Sequence, residues 1–200
     1  IHHFKKKIYK EGGQMILVSV LLGAILGYLF DVKILTEASI LIEPLSYALV
    51  FVSGLSVGYS LNGRKLKKHL IIDVFAMPIF ISIGSIVGAM LLGGFAGFNF
   101  WQSGLMASGL GWYSLSAIMI SDYDIGLAAM ALMINVFREI FAIATIPFIA
   151  RYVGFLESVS AGGATSMDTT LPVISRSTNE DTTIIAFANG AILIIVVPAL

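Results

Sequence analysis

The sequence predicts an all-α polytopic membrane protein with about five transmembrane helices plus two broken or re-entrant segments. Three observations carry that prediction. Apolar residues make up 58% of the chain, and mean hydropathy is +0.93. Charged residues are 12% of it, about half the share of a soluble domain. Several windows approach the roughly 20 apolar residues that a helix needs to cross a bilayer. These runs are long and uniformly apolar, whereas the strands of a membrane barrel alternate over about ten residues. The cysteine count is 0, which removes disulfides and thiolate metal ligands. Formal net charge is +0, so charge balance gives no footprint for nucleic acid.

The elements follow in chain order. Residues 1–14 form a basic segment carrying Lys5, Lys6, Lys7 and Lys10. No A-x-A-like cleavage pattern follows the first apolar run, so that run reads as a span. The first two spans are Met15–Phe30 and Pro44–Ser60, joined by a loop in which Lys33 faces Asp31, Glu37 and Glu43. The next loop holds Arg64, Lys65, Lys67 and Lys68. Basic loops stay cytoplasmic, so both basic segments and the N-terminus are placed there. The third span is Ile71–Leu92, and residues 15–98 read as scaffold helices. Residues 99–200 read as a core within a single transporter domain, 1–200. Its first segment, Trp101–Ile120, is apolar but interrupted by "SGLGWYS". Gly126–Ile149 is a clear span. The segment Val159–Ile174 is interrupted by "AGGATSMDTTLP", and a last span runs from about Thr183. If both interrupted segments (101–120 and 159–174) are re-entrant, Arg151 and Arg176 fall on the cytoplasmic side. If both cross, one of those arginines moves outside. The C-terminus is extracytoplasmic either way. Glycines four apart, at Gly23/Gly27, Gly54/Gly58 and Gly84/Gly88, predict close helix packing in lipid.

Polar residues at membrane depth locate the candidate site. In "SAGGATSMDTTLPV", Gly162, Gly163 and Pro172 break the helix, and Thr165, Ser166, Thr169 and Thr170 line the break. Asp168 supplies a charge or a titratable proton. Irregular backbone survives in a bilayer only inside protein or beside a water-filled cavity. Transporters place substrate at such discontinuities, near the midplane. The alternative is a surface loop holding an ordinary aspartate. Asn135, Arg138 and Glu139 interrupt Gly126–Ile149 near its centre and share one helical face. An ionised group there costs about 3 kcal/mol unless paired or hydrated, so this face looks into the protein. Arg138 is expected to orient or neutralise an acid, with Glu139 and Asn135 bordering a cavity; a purely structural ion pair is the alternative. In "GLGWYSLS", Trp112 and Tyr113 either stack on a cation or seal a gate, or they belong to an interfacial belt. Asp122 and Asp124 are expected to cap or flank the next helix, and Asn189 to hydrogen-bond a neighbouring helix.

Enzyme chemistry finds little support. His2, His3 and His69 lie at termini or loops, so a buried Ser–His pair is hard to build. An aspartyl dyad needs two facing aspartates, and only Asp168 reads as deep. No phosphate-binding glycine loop or His-rich metal pattern is present. One acid between helix breakers suggests a binding site more than a continuous pore.

Three stretches, "SGLGWYSLSAIMISD", "INVFREIFAIATIPFIAR" and "GGATSMDTTLPVISR", stand in the same order as in the bacterial and archaeal L-lysine exporter family of LysO type, which the chain resembles. The run "GATSMDTTLPV" is the most specific. The resemblance implies export of L-lysine, and of lysine analogues, across the cytoplasmic (inner) membrane, with no cofactor and no metal. By analogy, Asp168 corresponds to an intramembrane acid important for transport. Asn135, Arg138 and Glu139 fall in the family's polar helix, and Trp112, Tyr113 and Ser114 in its glycine-aromatic break. Single-chain members of the family usually carry further N-terminal spans with another intramembrane acid. Three readings follow: those spans are on a separate short N-terminal-type membrane subunit, they precede the first residue of this sequence, or a homodimer compensates.

Together these readings give a substrate- and proton-binding set of Asp168, Thr165, Ser166, Asn135, Arg138, Glu139, Trp112, Tyr113 and Ser114. Asp168 attracts an ammonium of lysine, and a half-helix N-terminus or Arg138 holds the carboxylate. Competition between proton and lysine for Asp168 makes a proton-coupled antiporter, and sodium is the alternative coupling ion. The rival readings are a cation/proton antiporter or channel of other specificity, or a non-autonomous subunit of a two-polypeptide exporter.

Overall fold

Long apolar stretches form continuous helix, even the one that Arg138 and Glu139 interrupt, and the glycine-rich breaks do not. The computed structural model describes residues 68–200 continuously, with isolated positions between 22 and 59. In it, helix α1 is Lys68–Leu92, α2 Phe100–Ala107, α3 Tyr113–Ser121, α4 Ile125–Tyr152, α5 Phe155–Gly162, α6 Leu171–Ser177 and α7 Glu180–Val196. Short 3-10 turns occupy Gly93–Ala96, Gly163–Met167 and Val197–Ala199. No strand occurs among the described residues. The expected spans Ile71–Leu92, Gly126–Ile149 and Thr183 onward correspond to α1, α4 and α7. Among the described residues these are the three helices long and apolar enough to cross a membrane, and all are at least 20 residues with their 3-10 extensions. At 1.5 Å per residue that length matches a hydrocarbon core of about 30 Å. The protein is thus an all-α membrane protein. Residues 1–14, most of Met15–Phe30 and Pro44–Ser60, and the basic loop as far as residue 67 lie outside the described residues.

Side-chain caps fix where the helices begin. Asn99 and Gln102 form a capping box on α2, with Gln102 N–H donating to Asn99 Oδ1 at 2.8 Å. Asp124 caps α4 by accepting Leu127 N–H at 2.9 Å, as expected of the "SDYD" turn. Asn179 caps α7 through Thr182 N–H at 2.8 Å. Pro172 stands in the first turn of α6, where its missing N–H costs nothing.

The two interrupted segments double back as hairpins among the described residues, and the order of their contacts shows it. Phe98, before α2, and Ile120, near the end of α3, join one cluster with Met106, Ala128 and Ala131. Both ends of that segment therefore lie beside the start of α4. Its tip, at Leu110, packs with Ile81, halfway along α1. The second segment enters from the opposite face. Leu156, at the start of α5, shares a cluster with Leu70, Ile184 and Ile185, near the starts of α1 and α7. Val159 on α5 and Leu171, Val173 and Ile174 on α6 pack together against Ala142 and Ile146 of α4. The two hairpins dip toward each other and meet where Ala164 N–H donates to Leu110 O at 2.9 Å.

Helix α7 grips the second tip. Ser166 Oγ donates to Ala186 O at 2.7 Å, and Asn189 Nδ2 donates to Gly163 O at 3.1 Å and Ser166 Oγ at 3.0 Å. Asn189 therefore makes the hydrogen bond to a neighbouring segment that its place in an apolar span predicts. At Gly190 a Cβ would collide with Met167 and Ala164 O, so only glycine lets α7 lie this close. Of the expected glycine pairs, a Cβ at Gly54 would meet the Phe187 ring, whereas one at Gly58, Gly84 or Gly88 would meet no described group of another segment within 4 Å.

Candidate functional site

The meeting point of the hairpin tips requires unusual backbone. Leu110 has φ +49, a left-handed conformation rare for a residue with a branched side chain, and it is fully buried. Gly111 (φ +106) and Gly163 (φ +59) flank the contact. A Cβ on either glycine would run into the Arg138 guanidinium, so their bareness makes room for that group.

Arg138, from the middle of α4, fastens the two tips together. Its Nη1 donates to Leu110 O at 2.6 Å, and its Nη2 donates to Ser160 O at 3.4 Å. Ser160 O lies in the last turn of α5, where the helix dipole is negative and a cation is stabilised, and Leu110 O lies in the turn that follows α2. Asn135, one turn earlier, is 1% exposed and has its amide satisfied. Its Nδ2 donates to Met106 O at 3.1 Å and Ala131 O at 2.9 Å, and its Oδ1 accepts Gly111 N–H at 2.9 Å. Asn135 thus ties the first break to α4 by supplying the partners its unwound backbone has lost.

Thr165 and Ser166 are likewise buried, with hydroxyls committed to Gly162 O and Ala186 O. Thr170 is buried, and its hydroxyl donates to Thr165 O at 2.9 Å. Trp112 packs against the buried cluster of Ile81, Leu110, Ala164 and Leu193. Asn135, Arg138, Thr165, Ser166 and Trp112 therefore brace the crossing.

Asp168 and Glu139 stand at the accessible side. Thr169 lies between them. Its hydroxyl donates to Glu139 Oε1 and is 3.3 Å from Asp168 Oδ1, which also accepts Thr169 N–H at 2.6 Å. Tyr113 is 38% exposed, at the first turn of α3, within electrostatic range of both carboxyls. Ser114 follows it, exposed. The N-cap of α3, Trp112, makes no side-chain capping bond. A cavity of about 510 Å³ opens elsewhere, between α1 and α5, lined by Met77, Phe80, Ile81, Gly84, Leu156 and Glu157 among others, and includes neither carboxyl.

Two participants escape a reading from sequence. Leu110 carries no chemical signal, although Gly109 and Gly111 on either side mark an irregular turn. Thr169 reads as one hydroxyl among several lining the break. Only the fold brings Glu139, thirty positions earlier, to its hydroxyl.

Comparison with known proteins gives the family. Residues 17–200 match the family described as lysine exporter LysO. The chain is 32% identical over 170 residues to the lysine exporter LysO of Escherichia coli K12, covering 82% of this chain and 54% of that protein. It is 28% identical over 141 residues to a Haemophilus influenzae protein named as a candidate lysine exporter, covering 70% of this chain and 72% of that one. The chain thus spans about half the length of the Escherichia coli relative. No solved structure gives a significant match. With 184 of its residues inside one family match, the chain belongs to the LysO lysine exporter family.

Proposed function

We propose that this protein exports L-lysine across the cytoplasmic membrane, exchanging one lysine cation for one proton. The observation that carries the reading is the gathering of Arg138, Glu139 and Asp168 where the two re-entrant tips meet. Arg138 is a fixed positive charge. With both carboxyls ionised the three carry one net negative charge, which a lysine cation cancels. With one carboxyl protonated they are neutral unaided. Net charge at membrane depth costs on the order of 3 kcal/mol. The site is therefore stable holding one proton or one lysine cation, and costly holding both or neither. That is the requirement for obligatory exchange.

Asp168 and Glu139 receive an ammonium of lysine, and the exposed ring of Tyr113 offers it a π-face. Arg138 is committed to carbonyls, so the lysine carboxylate turns to the uncapped amides at the start of α3, beside Ser114. Transport of this kind needs no bond-making step, so the protein is read as a carrier and not an enzyme. Orientation follows charge. Arg151 and Arg176 share a face with the start of α1, whereas Asp122 and Asp124 lie on the other face. The first face is read as cytoplasmic, and the N-terminus with it.

The test is flux in proteoliposomes holding the full transporter. A pH gradient should drive lysine uphill, with collapse of the gradient abolishing it. Uphill flux that follows a sodium gradient instead would replace the proton in this scheme. Downhill flux with no counterflow would make the protein a channel.

A further inference from the structure

We propose that the Thr169 hydroxyl is the relay that joins Glu139 and Asp168 into one proton-holding unit; the proposal rests on the exchange reading above. Nearby hydroxyls set Thr169 apart. Those of Thr165, Ser166 and Thr170 are buried and donate to backbone carbonyls. Thr169 is exposed, and its hydroxyl touches two carboxyl oxygens, Glu139 Oε1 and Asp168 Oδ1.

A hydroxyl has one proton to give and two lone pairs to receive with. It cannot donate to two carboxylates at once. If both were ionised, one of its two contacts would set lone pair against lone pair. With a single additional proton the conflict disappears. One carboxylic acid donates to Oγ1, and Oγ1 donates to the other carboxylate. The arrangement is therefore that of a pair sharing one proton. The Thr169 backbone N–H, donating to Asp168 Oδ1 at 2.6 Å, holds that carboxyl in place.

The same contacts give a transfer path. The acid's O–H bond breaks as its proton bonds to Oγ1, while the original Thr169 proton passes to the opposite carboxylate. The hydroxyl is regenerated, and one proton has moved from one carboxyl to the other. Among the described residues, the charged and titratable groups in range are Arg138 on α4, beside Glu139, and Tyr113 on α3, which lies within electrostatic range of both carboxyls. A proton delivered to either acid thus equilibrates over both, and an arriving ammonium meets two carboxylates once it leaves.

The experiment compares two fluxes of the full transporter in proteoliposomes: net lysine movement driven by a pH gradient, and lysine–lysine counterflow. Counterflow swaps cation for cation and needs no proton. Thr169→Val keeps the shape and removes the hydroxyl; Thr169→Ala serves if the valine variant is unstable. Either should lower gradient-driven flux roughly tenfold further than counterflow, a modest loss for a proton-transfer group. Thr169→Ser should restore the wild-type ratio. Equal loss of both fluxes in Val and Ala would make Thr169 a packing residue and overturn the relay. An unchanged ratio with full activity would do the same. Absence of gradient-driven flux in the wild type would instead defeat the exchange reading, and the relay with it.

Discussion

Arg138 does most to decide how the site is built. Its sequence position, next to Glu139 in an apolar span, suggests an ion pair. Its hydrogen bonds go instead to Leu110 O and Ser160 O, and Glu139 accepts from Thr169. The two neighbours thus have separate duties. Hydrogen bonds from a charged donor contribute about 1.5–3 kcal/mol each. Arg138→Lys keeps the charge but loses the planar fork, and one ammonium cannot serve both carbonyls in that geometry. It should lower stability by roughly 2 kcal/mol, read as the thermal midpoint in detergent. Arg138→Ala should cost more, and adding Glu139→Ala should not restore it. Recovery in the double variant would show that the two side chains are, after all, partners. Glu139→Gln and Asp168→Asn should instead leave the midpoint near wild type and cut lysine efflux by at least about tenfold, because they remove charge meant for the cation.

At the scale of elements, α1, α4 and α7 were legible because a long apolar run permits little besides a helix. The breaks were legible too, as glycine, hydroxyl and acid clustered within apolar surroundings. Their topology was not. Whether a segment crosses or returns depends on which neighbours its two ends touch, and "SGLGWYS" carries no record that Phe98 and Ile120 meet near Ala128. The allotment of polar groups was equally hidden. Asn135, Thr165 and Ser166 have the chemistry of ligands, but unwound backbone at membrane depth needs partners and takes them. Glycine contacts make this testable. Gly163 stands at φ +59 and ψ −128, a conformation open to little but glycine, and a Cβ there would meet Arg138 and Leu110 O. Gly163→Ala should therefore cost about 1–3 kcal/mol from backbone strain, with further loss from the displaced guanidinium. Gly94, with no described group within 4 Å, should accept alanine within about 0.5 kcal/mol. Thermal unfolding of the two variants side by side checks the difference.

At the scale of the molecule, two hairpins among the described residues start from opposite ends of α4 and bring their tips together beside its centre. On the proposed exchange, small movements of either tip would alternate access to the site. That architecture makes a definite claim about sidedness. Residues before α2 and after α3 must share one face, and residues after α4 and after α6 the other. A crossing topology would separate the members of each pair. The cysteine count of 0 makes the claim simple to examine, since any introduced thiol is unique. Phe95 and Tyr123 are 92% and 86% exposed and flank the first hairpin. Tyr152 is 62% exposed and Ser177 closes α6, so these two flank the second. In intact spheroplasts a membrane-impermeant maleimide should label Phe95→Cys and Tyr123→Cys. It should reach Tyr152→Cys and Ser177→Cys only after permeabilisation, because the proposed orientation places the face carrying Arg151 and Arg176 in the cytoplasm. Labelling of Phe95→Cys and Tyr123→Cys from opposite sides would make the first segment a crossing. Its tip would then leave the face of α4 that carries Asn135 and Arg138, and the meeting point of the two hairpins could not form.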